Sequence, residues 1–263
     1  MPAKWLPLEA NPELLTQEAR KLGMQSEKVE FHDVLGLDNE LLSMVPWPRH
    51  AVLLCYPLQS ESESESLPSS DTSGSVDPQA GSDLWFSKQQ VPNACGTVGL
   101  VHALANNVDT AGIDQSTPLG SFLHRTYNMS PSERADAMAN DAQLAHAHES
   151  TASDGSSTVV SRDAEVDLHF VCFVERNGAV FELGTRCKVL VQHRILSSVT
   201  SVHHLPSPFV IALQMGGKRD QSTVVLCRAT CLPQLRRSFA TTPLAPDRST
   251  LTSLHLRQLH SRH

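Results

Sequence analysis

Two apolar periods run through the chain, with strong punctuation between them. Leu15, Ala19 and Leu22 recur at helical spacing. Asn11 stands where a cap is needed, Pro12 suits the first helical position, and Gly23 can stop the helix. Asp38 can cap a short second helix carrying Leu41, Leu42 and Val45, ended by Pro46. The run 51–56 (AVLLCY) reads as a buried strand. Residues 130–133 (SPSE) form a capping box with proline at the first helical position, and the helix they open is predicted to run to about His148. From Thr151 to Arg162 the chain turns serine-rich and reads as a loop. Asp167 to Glu175 reads as a strand. Leu168, Phe170, Cys172 and Val174 line one face, and Val171 and Phe173 the other, beyond Asp167 and His169. Apolar residues on both faces predict a strand covered on both sides. Asn177-Gly178 is a strong hairpin signal, with a return strand over Ala179 to Leu183. Helices and strands intermixed, with an antiparallel pair, give an α+β fold class.

The 263 residues, 40% hydrophobic and 19% charged, suffice for one sizeable globular domain with some non-globular sequence attached. No apolar run approaches the roughly 18 residues of a membrane span. The N-terminal residues lack the basic stretch and apolar core of a secretory signal, so a cytoplasmic location is expected, without membrane partners. Six irregularly spaced cysteines, with no CxxC pair, argue against a disulfide framework. His146 with His148, and His203 with His204, sit beside no Cys or carboxylate set at zinc spacing, so no metal site is expected, and no cofactor.

The net charge of −7 hides a break. Residues 1–183 hold 10 Lys/Arg and 26 Asp/Glu, whereas residues 184–263 hold 11 Lys/Arg and 2 acids. The basic residues of that tail are scattered singly among Ser, Thr, Leu and Pro, with no Lys-rich block, amphipathic stripe or aromatic platform, so a nucleic-acid partner is not expected. The tail reads as poorly ordered. A second irregular stretch, about 59–83, is acidic, serine-rich and nearly devoid of large apolar residues. It cannot bury enough surface to offset its ordering entropy and reads as a mobile insertion; a solvated loop and a phosphorylatable one both fit it.

The chemistry centres on residues 89–106. Cys95 precedes an almost wholly apolar stretch, which predicts a buried helix with the thiol at its N-terminal end. There the positive end of the helix dipole favours thiolate. Small neighbours, Ala94 and Gly96, would let a substrate carbonyl approach. A buried structural cysteine is the alternative. A thiolate nucleophile needs a base, and His169, at a strand start beside a loop, is the best candidate, although a satisfied strand histidine fits the same pattern.

Four stretches carry a resemblance: residues 5–13 (WLPLEANPE), 40–46 (ELLSMVP), 93–97 (NACGT) and 167–170 (DLHF). Over about residues 3–183 the sequence resembles the ubiquitin carboxyl-terminal hydrolase family, papain-like cysteine proteases, in particular its small single-domain isozymes. The resemblance implies a central antiparallel sheet flanked by helices, with a catalytic domain at 1–183 and a non-matching tail at 184–263. It implies Cys95 as nucleophile, His169 as base and Gln89 as oxyanion donor. A crossover loop at about 149–163 would limit leaving groups to small or unfolded adducts. Ubiquitin, or a ubiquitin-like protein, is the implied partner of a monomer, with Pro7, Leu8 and Glu9 as contacts and Asp33 facing a ubiquitin arginine.

The pattern then breaks. The family's third catalytic residue is an Asp just after the hairpin strand; this chain reads 182–186 as ELGTR, with Gly184 at that position. Gly and Asp codons share their first base, so reading through an exon boundary into an intron beginning GT would give glycine here, followed by a tail without selected pattern. Two consequences are expected. His169 loses its orienting partner, leaving an impaired hydrolase or a catalytically dead ubiquitin-binding protein. The sheet also lacks a member, unless β-prone residues 207–215 or 222–228 imitate one.

Overall fold

A computed structural model describes residues 4–36, 38–57, 83–155, 168–177, 179–184, 191–193 and 222–227. The first helix, α1 (Pro12–Leu22), starts as its sequence dictates: the Asn11 side chain accepts from the N–H groups of Glu13 and Leu14, and Gly23 closes the helix at φ 117°. Its buried face holds Leu14, Leu15, Glu18, Ala19 and Leu22. Strand β1 (Val29–Val34) leads to α2 (Asn39–Ser43), whose N-terminus the Asp38 side chain caps through Leu41 N–H. Strand β2 (Arg49–Pro57) begins at a buried arginine whose guanidinium donates to the carbonyls of Leu42 and Val45, closing the end of α2. The helical middle comprises α3 (Cys95–Ala105), α4 (Val108–Ala111), α5 (Pro118–Thr126), α6 (Pro131–Ala139) and α7 (Ala142–Ala152). Four strands follow: β3 (Leu168–Arg176), β4 (Ala179–Gly184), β5 (Val191–His193) and β6 (Ser222–Cys227).

The helix opening at Ser130 is two helices. The capping box forms as expected, but Asn140 ends α6, and the Asp141 side chain accepts from Gln143 and Leu144 N–H to start α7. Two small polar residues that compete for backbone hydrogen bonds were the signal for the break. Helix α7 then continues to Ala152, into the stretch read as loop. The remainder of the crossover segment, from residue 156, lies outside the described residues, as do the acidic insertion up to residue 82 and the stretch 207–215.

The sheet runs β1-β6-β2-β3-β4-β5. Strands β2 to β5 form an antiparallel meander. The β3–β4 ladder closes at Arg176↔Ala179, and Asn177 takes φ 55°, as a two-residue hairpin turn requires. Strand β6 lies between β1 and β2, parallel to both, with Val225 opposite His32 on one side and Val52 on the other. The expected gap in the sheet is therefore filled from the tail, by the second of its two β-prone stretches. Without it, β1 and β2 would each present an unpaired backbone edge. The architecture is α+β.

Helix α3 is the centre of the molecule. It touches β2, β3, β4, α1, α4 and α5, and its residues 95–104 are all buried. It packs on the sheet face carrying Leu53, Cys55, Phe170, Cys172, Val174, Phe181 and Leu183. The opposite face of the same strands, at Val52, Leu54, Val171, Phe173 and Val180, is buried too. Among the described residues no helix is long and apolar enough to cross a membrane.

Candidate active site

The loop before α3 is fastened to the N-terminal segment. Trp5 N–H donates to the Pro92 carbonyl at 3.2 Å, and Asn93 Nδ2 donates to the Trp5 carbonyl at 3.3 Å. Asn93 holds φ 66°, a conformation that asparagine tolerates better than most residues. Cys95 is the first residue of α3, and Ala94 at the N-cap supplies no side-chain hydrogen bond. The first N–H groups of a buried helix thus face an anion-friendly corner with no built-in acceptor from the cap. Of the three described cysteine side chains, Cys55 and Cys172 sit inside the core, and burial pushes the Cys172 thiol far above its ordinary pKa. Neither stands at a helix N-terminus.

Gly96 serves packing. A Cβ there would lie 3.0 Å from Leu8 Cβ and 3.4 Å from Phe170 Cε2, so the space expected for an approaching carbonyl is filled by protein. Gly99 does the same against Leu53 and Phe170. These contacts bring the N-terminal turn of α3 onto the start of β3. Cys95 and His169 are each adjacent in sequence to a partner of that contact, and strand alternation puts the His169 side chain on the sheet face opposite Phe170. His169 is 4% exposed and lies opposite Tyr56 in the β2–β3 ladder, their rings edge to face with centroids 5.9 Å apart.

Gly184 pairs with Val171. By strand alternation, position 184 therefore shares the sheet face of His169, one diagonal step away, about 7 Å between Cα atoms. Gln89 lies on a segment that runs antiparallel along α3: Trp85 pairs with Asn106 at the far end, Ser87 with His102, and the chain returns to Cys95. The Gln89 amide donates to the Val91 carbonyl at 2.9 Å.

The four residues assigned to partner contacts fall in two separate places. Leu8 is 7% exposed and packs against Gly96, so it supports the Cys95 helix and offers little surface. Pro7 and Glu9 are half-buried beside it, with Glu9 Oε2 close to Gly155. Asp33 is half-buried on β1, three strand spacings or about 14 Å from β3.

A second polar cluster escaped the sequence reading. Behind the first turn of α3, Thr97 Oγ1 donates to Glu18 Oε1 at 2.8 Å and lies 2.7 Å from His148 Nδ1. His148 Nε2 is 2.8 Å from the Leu6 carbonyl, and Trp5 stacks on the imidazole at 4.5 Å. All three side chains are fully buried. Burial raises Glu18 to about 7, against the lowering effects of Thr97 and Lys21. The signal was present: Glu18 sits within the apolar stripe of α1, between Leu15 and Leu22, where a solvated carboxylate has no place. At the other end of α3, burial drives His102 down to about 4.

The family model for ubiquitin carboxyl-terminal hydrolase, family 1, matches residues 5–205. Ubiquitin carboxyl-terminal hydrolase 3 of Arabidopsis thaliana is 39% identical over 198 residues, which cover 75% of this chain and 82% of that protein. The ubiquitin carboxyl-terminal hydrolase of Aplysia californica is 37% identical, over 75% and 89% of the two chains. Human isozyme L1 is 36% identical, over 74% and 84%. Among solved structures, the UCH37 catalytic domain of Trichinella spiralis, bound to ubiquitin vinyl methyl ester, superimposes with a TM-score of 0.52 at 21% identity, covering 74% of this chain and 80% of its own, which is a likeness of fold. With a buried helix opening on Cys95 and packed against the strand of His169, and with the family model spanning most of its length, the chain belongs to ubiquitin carboxyl-terminal hydrolase family 1, a family of cysteine-type hydrolases.

Proposed function

We propose that this protein is a thiol hydrolase that releases small or unfolded adducts from the C-terminal glycine of ubiquitin, or of a ubiquitin-like protein, with turnover reduced by Gly184. The observation that carries the reading is the junction of α3 and β3, where Cys95 opens an uncapped helix terminus against the strand start that bears His169. The names of the relatives supply the substrate class, and the ubiquitin vinyl methyl ester bound to the Trichinella domain agrees with it.

In this mechanism His169 draws the Cys95 proton, and the thiolate adds to the carbonyl carbon of the terminal glycine. The oxyanion is met by Cys95 N–H and by the Gln89 amide, which must release the Val91 carbonyl to turn toward it. The proton on His169 passes to the leaving amine, and a water then cleaves the thioester, returning a proton to the imidazole. An Asp at 184 would fix the imidazole tautomer. In serine triads the corresponding loss costs roughly 10⁴ in turnover, and a thiol, which is more readily ionised, depends less on that help. Three buried thiols among the described residues fit a reducing compartment, and we place the enzyme in the cytoplasm as a monomer.

Gly184 favours one second reading, a ubiquitin-binding protein that does not turn over. Full-length ubiquitin carrying an electrophilic C-terminus distinguishes the two. Covalent adduct at Cys95, absent in Cys95→Ala, is expected of the hydrolase. Saturable, reversible binding with no adduct after prolonged incubation would refute it in favour of the binding protein.

A further inference from the structure

We infer that Glu18, Thr97 and His148 share a single proton, and that this proton pins the first turn of the Cys95 helix to the N-terminal segment.

The hydrogen-bond geometry and the burial of the cluster together fix the count. A carbonyl only accepts, so the 2.8 Å contact with Leu6 places a hydrogen on His148 Nε2. Thr97 has one hydroxyl hydrogen for two neighbours, Glu18 Oε1 at 2.8 Å and His148 Nδ1 at 2.7 Å. Without a net buried charge, both contacts can be hydrogen bonds in only two arrangements. In one, a neutral Glu18 carboxyl donates to Thr97 and Thr97 donates to a neutral imidazole. In the other, an imidazolium Nδ1–H donates to Thr97 and Thr97 donates to a carboxylate. The two differ by a concerted shift of the same proton, and each is neutral overall. With that proton gone, one of the contacts becomes lone pair against lone pair, around a buried carboxylate. Glu18 Oε2 is buried without a hydrogen-bond partner, which adds to the cost of the ionised form.

The chain of bonds has mechanical consequences. Thr97 lies one position beyond Gly96 in the turn that begins at Cys95. His148 holds Leu6 through its carbonyl and Trp5 through its ring, and Trp5 in turn is bonded to Pro92 and Asn93. The cluster thus joins α1, α3, α7 and residues 5–8 behind the thiol. Among the described residues, the groups facing Glu18 are Lys21, on its own helix and itself 3.5 Å from Asp154, whose charge lowers the carboxyl, His148 on α7 and the uncharged Thr97 on α3. The raised proton affinity of Glu18 agrees with a bound proton at neutral pH. The inference concerns the mounting of the helix and does not depend on hydrolysis.

The test is hydrogen–deuterium exchange on the full chain, corrected for intrinsic rates, over residues 4–8 and 95–99. Between pH 6 and pH 8 protection there should fall by roughly tenfold, as the release of one proton near pH 7 requires. Glu18→Gln keeps a permanent donor toward Thr97, so its protection should not change over the same range. Thr97→Val should lower protection at every pH, and Thr97→Ser should restore both protection and its pH dependence. A native chain with flat protection, or a Glu18→Gln variant whose protection falls in parallel with the native chain, would overturn the shared proton. Thr97→Val and Thr97→Ser behaving alike would do so even if Glu18→Gln failed to fold.

Discussion

The two ends of α3 are equally buried and are held in opposite ways. At the C-terminal end the partners are backbone groups, an amide, a neutral imidazole and a guanidinium that does not titrate. Asn106 accepts from Trp85 N–H at 2.9 Å and donates to the carbonyls of Trp85 and His102, and Ser87 N–H donates to His102 Nε2 at 3.1 Å. The Arg176 guanidinium, which keeps its charge, donates to the Asn106 carbonyl at 3.1 Å, and His102, with a proton affinity lowered to about 4, stays neutral at physiological pH. At the N-terminal end the partners are a carboxyl, a hydroxyl and an imidazole that must hold a proton between them. One end is a fixed peg. The other, directly behind the thiol, is titratable. The difference teaches that a catalytic terminus can be anchored by the same kinds of short bonds as a structural one and still respond to its surroundings.

The largest effects break the comparison outright. Cys95→Ala should abolish labelling by electrophilic ubiquitin while leaving the melting temperature nearly unchanged, because the residue supplies chemistry and little packing volume. Gly184→Asp should act at the same end: a carboxylate on the His169 face of β4 should raise turnover of a ubiquitin C-terminal amide by roughly 10² or more, measured as kcat with KM little altered. Equal kcat in both chains would show that the imidazole is oriented by something else. Asn106→Ala tests the peg. It leaves the Trp85 N–H and carbonyl buried without partners, at about 1–3 kcal/mol each, and the loss should be read as a lower urea midpoint with labelling of the remaining folded protein intact.

Much of this was legible in the letters. The cap of α1 by Asn11, the capping box at Ser130 and the turn at Asn177-Gly178 are local chemistry, and local chemistry is what a sequence displays directly. The burial of α3 followed from an apolar stretch too long to be solvated on any side. The parallel insertion of β6 between β1 and β2 was not legible, because Ser222–Cys227 is a β-prone run among scattered basic residues and its place depends on two distant backbone edges. The packing of Leu8 was not legible for a related reason: the glycine that makes room for it lies at position 96. The shared-proton cluster draws its members from positions 18, 97 and 148, and only the carboxylate inside an apolar stripe hinted at it.

The smallest expected effect sharpens the comparison most, because the two ends have opposite signs. Glu18 has a folded value of about 7, above its ordinary 4.5, so its contribution to stability is complete below pH 4.5 and is lost as pH rises toward 7. His102 has a folded value of about 4, below its ordinary 6.5, so its contribution is complete above pH 6.5 and is lost as pH falls toward 4. Each spans about 3 kcal/mol, since a tenfold change in proton affinity corresponds to about 1.4 kcal/mol. Between pH 4.5 and 6.5 they offset one another. Urea midpoints of the native chain, set against those of Glu18→Gln, should therefore reveal a slope that neither end shows by itself. The variant should gain stability over the native chain steadily as pH rises from 4.5 to 7, by about 1 kcal/mol per pH unit, and run parallel to it above pH 7. A constant difference between the two curves would mean that Glu18 releases no proton in that range, and the titratable end of α3 would then be as fixed as the other.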